Sequence, residues 1–108
     1  MVKPFLVGGE WRTSAETLDT IFPFDGSVVE TCCMAQLADL EDAVRAAQRG
    51  FNIMRRLPTY KRVDILTRLH AILTKRFESM VEIMTLETGK ARKVSRAEAA
   101  RALQTIQT

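Results

Sequence analysis

Apolar residues fall in short strand-like runs over the first third of the chain, and then the spacing becomes helical. Phe5-Leu6-Val7 and Glu10-Trp11-Arg12 flank Gly8-Gly9. A two-residue glycine loop supplies the positive φ angles of a tight turn, so these runs predict a β-hairpin. Leu18 to Phe22 and Ser27 to Cys33 flank Pro23-Phe24-Asp25-Gly26, where proline presets φ and Asp-Gly favours reversal; a second hairpin is predicted. Val28, Val29 and Thr31 suit a strand. From Leu37 the apolar positions step by three and four through Leu40, Val44, Ala47 and Phe51, one face of a helix. Asp39, Glu41 and Asp42 sit in its first turn, where the helix dipole favours negative charge. Gly50 and Arg56-Leu57-Pro58 bring it to a close.

Pro58 suits the first turn of a second helix. Its apolar face is Ile65, Leu66, Leu69, Ile72, Leu73 and Phe77, and the pattern runs on through Met80, Val81, Ile83, Met84 and Leu86. Ser79 with Glu82 forms a capping box, which predicts a break near Glu78-Ser79. Gly89 is a C-terminal stop. Ser95 with Glu98 predicts a second box, opening a last helix with Ala99, Leu103 and Ile106 as its apolar face. The pattern is α+β: two hairpins over residues 1–35, then three or four helices over 36–108.

The stretch from Ile65 to Leu86 offers eleven large apolar side chains, each worth about 1.5–3 kcal/mol when fully buried. A thin hairpin layer cannot cover them, and left in water they drive self-association. A missing partner is therefore expected, either the rest of a larger chain or another subunit.

A hydrophobic content of 46% with 27% charged residues excludes a disordered chain. The charge is uneven. Residues 1–44 hold two basic and eight acidic groups, net −6; residues 45–108 hold fourteen and five, net +9. That asymmetry fits either nucleic-acid binding or an acidic face packed inside a larger protein. No apolar run is long enough to span a membrane, and the N-terminus lacks a signal-peptide cleavage site, so a cytoplasmic protein is expected. Cys32 and Cys33 are the only cysteines. As strand neighbours they point to opposite faces, which disfavours a mutual disulfide and leaves no zinc tetrad.

Candidate chemistry is sparse. The glycines at 8, 9, 26, 50 and 89 cannot form a G-x-G-x-x-G turn, and Gly89-Lys90 lacks the upstream Gly and the following Ser or Thr of a phosphate loop. His70 has no second histidine to pair with. Cys32 and Cys33 read as structural thiols, because an activated nucleophile needs a base, a helix N-terminus or a cation beside it. Trp11 reads as an anchor covering its hairpin. Arg55, Arg56, Lys61, Arg62, Arg68, Lys75 and Arg76 read as a solvated face, with no aromatic ladder interleaved for single-strand binding.

The order of several short segments carries more. Gly8-Gly9-Glu10-Trp11, Phe22-Pro23-Phe24-Asp25-Gly26-Ser27-Val28-Val29, Asp39-Leu40-Glu41-Asp42-Ala43-Val44-Arg45-Ala46-Ala47, Arg62 with Ile65-Leu66, Leu86-Glu87-Thr88-Gly89-Lys90, and Glu98 with Arg101-Ala102 follow one another across almost the whole chain. In this order they resemble the opening segment of NAD(P)-dependent aldehyde dehydrogenases. Phe22 replaces the family's Asn, Ala91 its Pro, and Ala99 its Val.

The resemblance implies the N-terminal part of a split, Rossmann-like dinucleotide-binding domain of an α/β protein, incomplete over residues 1–108. It implies an NAD- or NADP-dependent parent that oxidises a small aldehyde to a carboxylic acid through a cysteine thiolate, and that is homo-oligomeric. The groups that react and those that bind the dinucleotide would all lie beyond Thr108. No catalytic or cofactor-binding residue is expected in this chain, neither Cys32 nor Cys33 stands at the nucleophile's position, and the chain alone is expected to be inactive. The resemblance also implies a structural K+ or Na+ ion, held by backbone carbonyls of Thr20 and Ile21 and by the Glu87 carboxylate, oxygen donors of the kind hard cations take. Two rival readings are a stand-alone helical interaction module and a basic nucleic-acid-binding domain.

Overall fold

The computed structural model describes residues 2–108, which divide into two compact units. One comprises residues 2–21 and 27–57, the other residues 22–26 and 58–108.

In the first unit, β1 (Phe5–Val7) and β2 (Glu10–Arg12) pair antiparallel, with Leu6 opposite Trp11. Gly8 and Gly9 make the turn at φ 60° and 91°. Strands β3 (Thr17–Ile21) and β4 (Val28–Cys33) form the second antiparallel pair, with a register shift between Thr20 and Ile21. Lys3 extends this sheet: its N–H donates to the Thr31 carbonyl at 2.8 Å, and its carbonyl accepts from the Cys33 N–H at 2.9 Å. Helix α1 spans Leu37–Met54. The Asp39 carboxylate accepts the Gln36 N–H at 3.0 Å and so caps its first turn. The helix runs through Gly50 and ends only at Met54. The N–H groups of Arg56 and Leu57 then bond three residues back, tightening the chain into Pro58, which has no N–H to continue the ladder.

Trp11 does not cover its hairpin; it is 69% exposed. Leu6 and Trp11 share the face of the ribbon that faces solvent. Val7, on the other face, is buried, and β1 packs on α1.

In the second unit, the turn Phe22–Gly26 closes with the Gly26 N–H donating to the Phe22 carbonyl. Helices α2 (Thr59–Lys75), α3 (Phe77–Thr88) and α4 (Arg92–Gln107) follow. The break between α2 and α3 falls at Arg76, three residues before Ser79. The Arg76 N–H is shared between the Ile72 and Leu73 carbonyls at 3.2 and 3.1 Å, a tightened final turn with cationic Lys75 at the negative end of the dipole. Ser79 and Glu82 are exposed residues inside α3 and cap nothing. Gly89 ends α3 in the left-handed region at φ 68° as expected; a Cβ there would meet the Pro23 ring at 3.2 Å.

The Ser95–Glu98 box is also not formed. Helix α4 starts a turn earlier, at Arg92, and Ser95 is fully buried against α3. The core of this unit is Val81, Ser95 and Ala99. Small residues at 95 and 99 let α3 and α4 approach. Glu78 braces them from outside, bonded by both terminal nitrogens of Arg96 at 2.7 Å.

Candidate functional site

The densest polar cluster joins the first hairpin to α1. Residue spacing explains it: Asp39 and Asp42, three apart, lie on one helix face. Arg12 Nη1, from the end of β2, donates to Asp39 Oδ1 at 2.9 Å and to Asp42 Oδ2 at 2.8 Å. Arg45 donates to the other oxygen of Asp42. The Gln36 N–H, then Arg12, hold the Asp39 carboxyl below its ordinary range. Arg12, then Arg45, do the same for Asp42. Both carboxylates in turn raise the Arg12 guanidinium. Groups stabilised in their charged forms make poor proton carriers at neutral pH, so the cluster is a clasp and not an acid–base site. It borders a polar cavity of about 170 Å³ beside Gly8, whose Cβ position lies 3.2 Å from Ala46 Cβ. The sequence assigned Asp39 and Asp42 only to the helix dipole. Arg12 as their partner was the residue missed, since contacts across 27 and 30 positions leave no periodic signal.

The other candidates lie on separate elements. Thr20, half-buried, pairs with Glu30, and Ile21 pairs with Val28 at the register shift. Glu87 stands exposed in the last turn of α3, in the other unit, with no hydrogen bond or ion pair among the described residues. Cys33 is buried with its Sγ 3.7 Å from the Ser14 carbonyl; Cys32 is half-buried, and both are free thiols. Among the described residues no three His, Cys, Asp or Glu side chains converge as a metal site. No helix among them is long and apolar enough to cross a membrane.

The Gly89-Lys90 motif closes a helix and an ion pair: Lys90 Nζ bonds Glu98 at 2.8 and 3.0 Å and keeps that carboxyl below its ordinary range. Arg55, Arg56, Lys61, Arg62, Arg68, Lys75 and Arg76 are all exposed. Arg68 pairs with Asp64 at 3.0 Å, and Arg55 lies over the Phe51 ring. His70, half-buried, lines an apolar groove of about 290 Å³ between α2 and α4 with Val63, Leu66, Thr67 and Ile106.

Solved structures fix the class of fold. Aldehyde dehydrogenase 21 of Physcomitrella patens superposes with a TM-score of 0.93 at 26% identity, over 98% of this chain and 22% of that one. A 1-pyrroline-5-carboxylate dehydrogenase of Thermus thermophilus gives 0.93 at 28%, over 97% and 20%. An NAD-dependent benzaldehyde dehydrogenase of Corynebacterium glutamicum gives 0.89 at 27%, over 96% and 23%. Malonate-semialdehyde dehydrogenase 1 of Geobacillus kaustophilus is 30% identical over 103 residues, 94% of this chain and 21% of its own length. The model of the aldehyde dehydrogenase family matches residues 11–108, and the chain belongs to that family. It spans about a fifth of the length of the curated relatives it matches.

Proposed function

We propose that the chain is the N-terminal portion of an NAD(P)-dependent aldehyde dehydrogenase, a homo-oligomeric cytoplasmic enzyme that oxidises a small aldehyde to its carboxylic acid. The family match over residues 11–108 carries this reading. In it the chain contributes framework: the Arg12 clasp orients the hairpin on α1, and the α3–α4 pair forms its own small core. None of its glycine turns has the spacing that cradles a dinucleotide, so no step is routed through these residues.

A K+ or Na+ ion held by Thr20, Ile21 and Glu87 belongs to the same proposal. The register shift between Thr20 and Ile21 breaks the regular ladder there, which favours free carbonyls.

The test follows reduction of NAD+ and NADP+ with malonate semialdehyde and benzaldehyde, the aldehydes named for relatives. Residues 1–108 alone are expected to give no turnover, and the gene product as its organism makes it is expected to give turnover. Absence of oxidation by that gene product with a broad aldehyde panel overturns the reading.

A further inference from the structure

We propose that the cavity between the first hairpin and α1 binds a small zwitterion of the α-amino-acid class, its carboxylate on Arg49 and its ammonium on Glu10. Two local periodicities build the cavity. Glu10 and Arg12 alternate with Trp11 along β2, so they share the face of the ribbon opposite to it. Asp42, Arg45 and Arg49 are spaced three and four apart on α1 and so lie along one side of the helix. All five border the polar cavity of about 170 Å³.

Its charges fall into two sets. Arg12 and Arg45 both bond Asp42, and Arg12 also bonds Asp39, so these two cations and two anions neutralise one another. Glu10 and Arg49 are exposed, of opposite sign, and on the same cavity, yet neither has a hydrogen bond or ion pair among the described residues. A lone anion seated at Arg49 would also feel the Glu10 carboxylate. A lone cation seated at Glu10 would feel the guanidinium groups of Arg45 and Arg49. Each loses to a like charge part of what it gains from the opposite one. A ligand that carries both signs leaves neither group unpaired. A carboxylate suits Arg49, because the planar fork of a guanidinium matches it with two parallel bonds. The volume sets the size: the cavity lies below the roughly 300–1,000 Å³ of a drug-sized ligand site, so the occupant has only a few heavy atoms. The Arg12 clasp holds strand and helix together, so both unpaired groups are presented from a frame that exists before binding.

The experiment uses the polypeptide as its organism makes it. Saturation-transfer difference NMR follows the methyl signal of L-alanine, titrated to about 20 mM, the range that exposed charge pairs require. Propionate and ethylammonium, which each keep one of the two charges, are the comparison probes. Alanine is expected to saturate, and each comparison probe to bind about threefold or more weakly. Arg49→Gln and Glu10→Gln should each weaken alanine by a similar factor. Glu10→Gln should at the same time strengthen propionate, because it removes a like-charged neighbour. Arg56→Gln, which removes an exposed cation away from the cavity, should change neither probe. Glu10 and Arg49 are exposed and unpaired among the described residues, so neither substitution removes a contact that holds the fold. Alanine that does not saturate overturns the proposal, as does propionate binding as tightly as alanine. So does alanine binding that survives Arg49→Gln unchanged, which places the signal at another site.

Discussion

A Thr85→Val substitution removes the hydroxyl that links α3 to α4 in the buried centre of their contact. Thr85 Oγ1 lies 2.8 Å from the Val81 carbonyl and 3.0 Å from Ser95 Oγ. A hydroxyl has one proton. The carbonyl can only accept, so Thr85 donates to Val81, and Ser95 donates to Thr85. Ser95 has no exposed surface and no other side-chain partner among the described residues. Valine at 85 therefore strands a buried O–H, at a cost of about 1–3 kcal/mol. Ser95→Ala removes that donor and leaves the Thr85–Val81 bond intact, costing about 1 kcal/mol or less. The double substitution leaves no stranded group, so the two effects fall short of adding by about 1–2 kcal/mol. Urea unfolding followed by far-UV circular dichroism, extrapolated linearly, measures all four corners of the cycle. Additivity within about 0.5 kcal/mol refutes the assignment of the protons. So does a Thr85→Val variant no less stable than Ser95→Ala, since Ser95 would then have found the Ala91 carbonyl of its own helix instead.

Further outcomes follow from the same geometry. Gly89→Ala places a Cβ on a left-handed backbone and 3.2 Å from both Cβ and Cγ of Pro23, so a loss of about 1–2 kcal/mol or more in urea unfolding is expected, and Pro23→Ala, which keeps the Cβ, should relieve only the Cγ share of the contact. Asp39 and Asp42 have folded values lowered from an ordinary 3.8, so their stabilisation is complete above that pH and lost as pH falls through the lowered values. Arg12→Met should therefore destabilise the protein most near neutrality, and the gap from the parent should close below pH 3.8; a gap independent of pH counts against the clasp. With excess iodoacetamide, Cys32 should be alkylated before the buried Cys33, and mass mapping that finds the reverse order contradicts their burial.

Elements with a strong local signal were legible in the sequence. The glycine pair at 8–9, the apolar stepping of Leu37 to Phe51, and Gly89 each predicted what formed, because turn chemistry and periodicity act over a few residues. The capping boxes misled for a tertiary reason. Ser95 has the right residue three positions on, Glu98, but the Ser95 hydroxyl is committed to Thr85 on another helix, and Glu98 is committed to Lys90. Trp11 was read from its type, whereas its exposure depends on which face of a three-residue strand meets α1. The clasp of Arg12 was invisible for the same reason.

The main-chain bonds between Lys3 and β4 have a practical consequence. Residues 2–4 blunt what would otherwise be an open sheet margin, with the Thr31 carbonyl and the Cys33 N–H free to recruit a foreign strand. A purification tag or trimming that displaces these few residues would turn that margin into a template for intermolecular strand addition, so material altered at its beginning is expected to precipitate more readily than its helices alone would suggest.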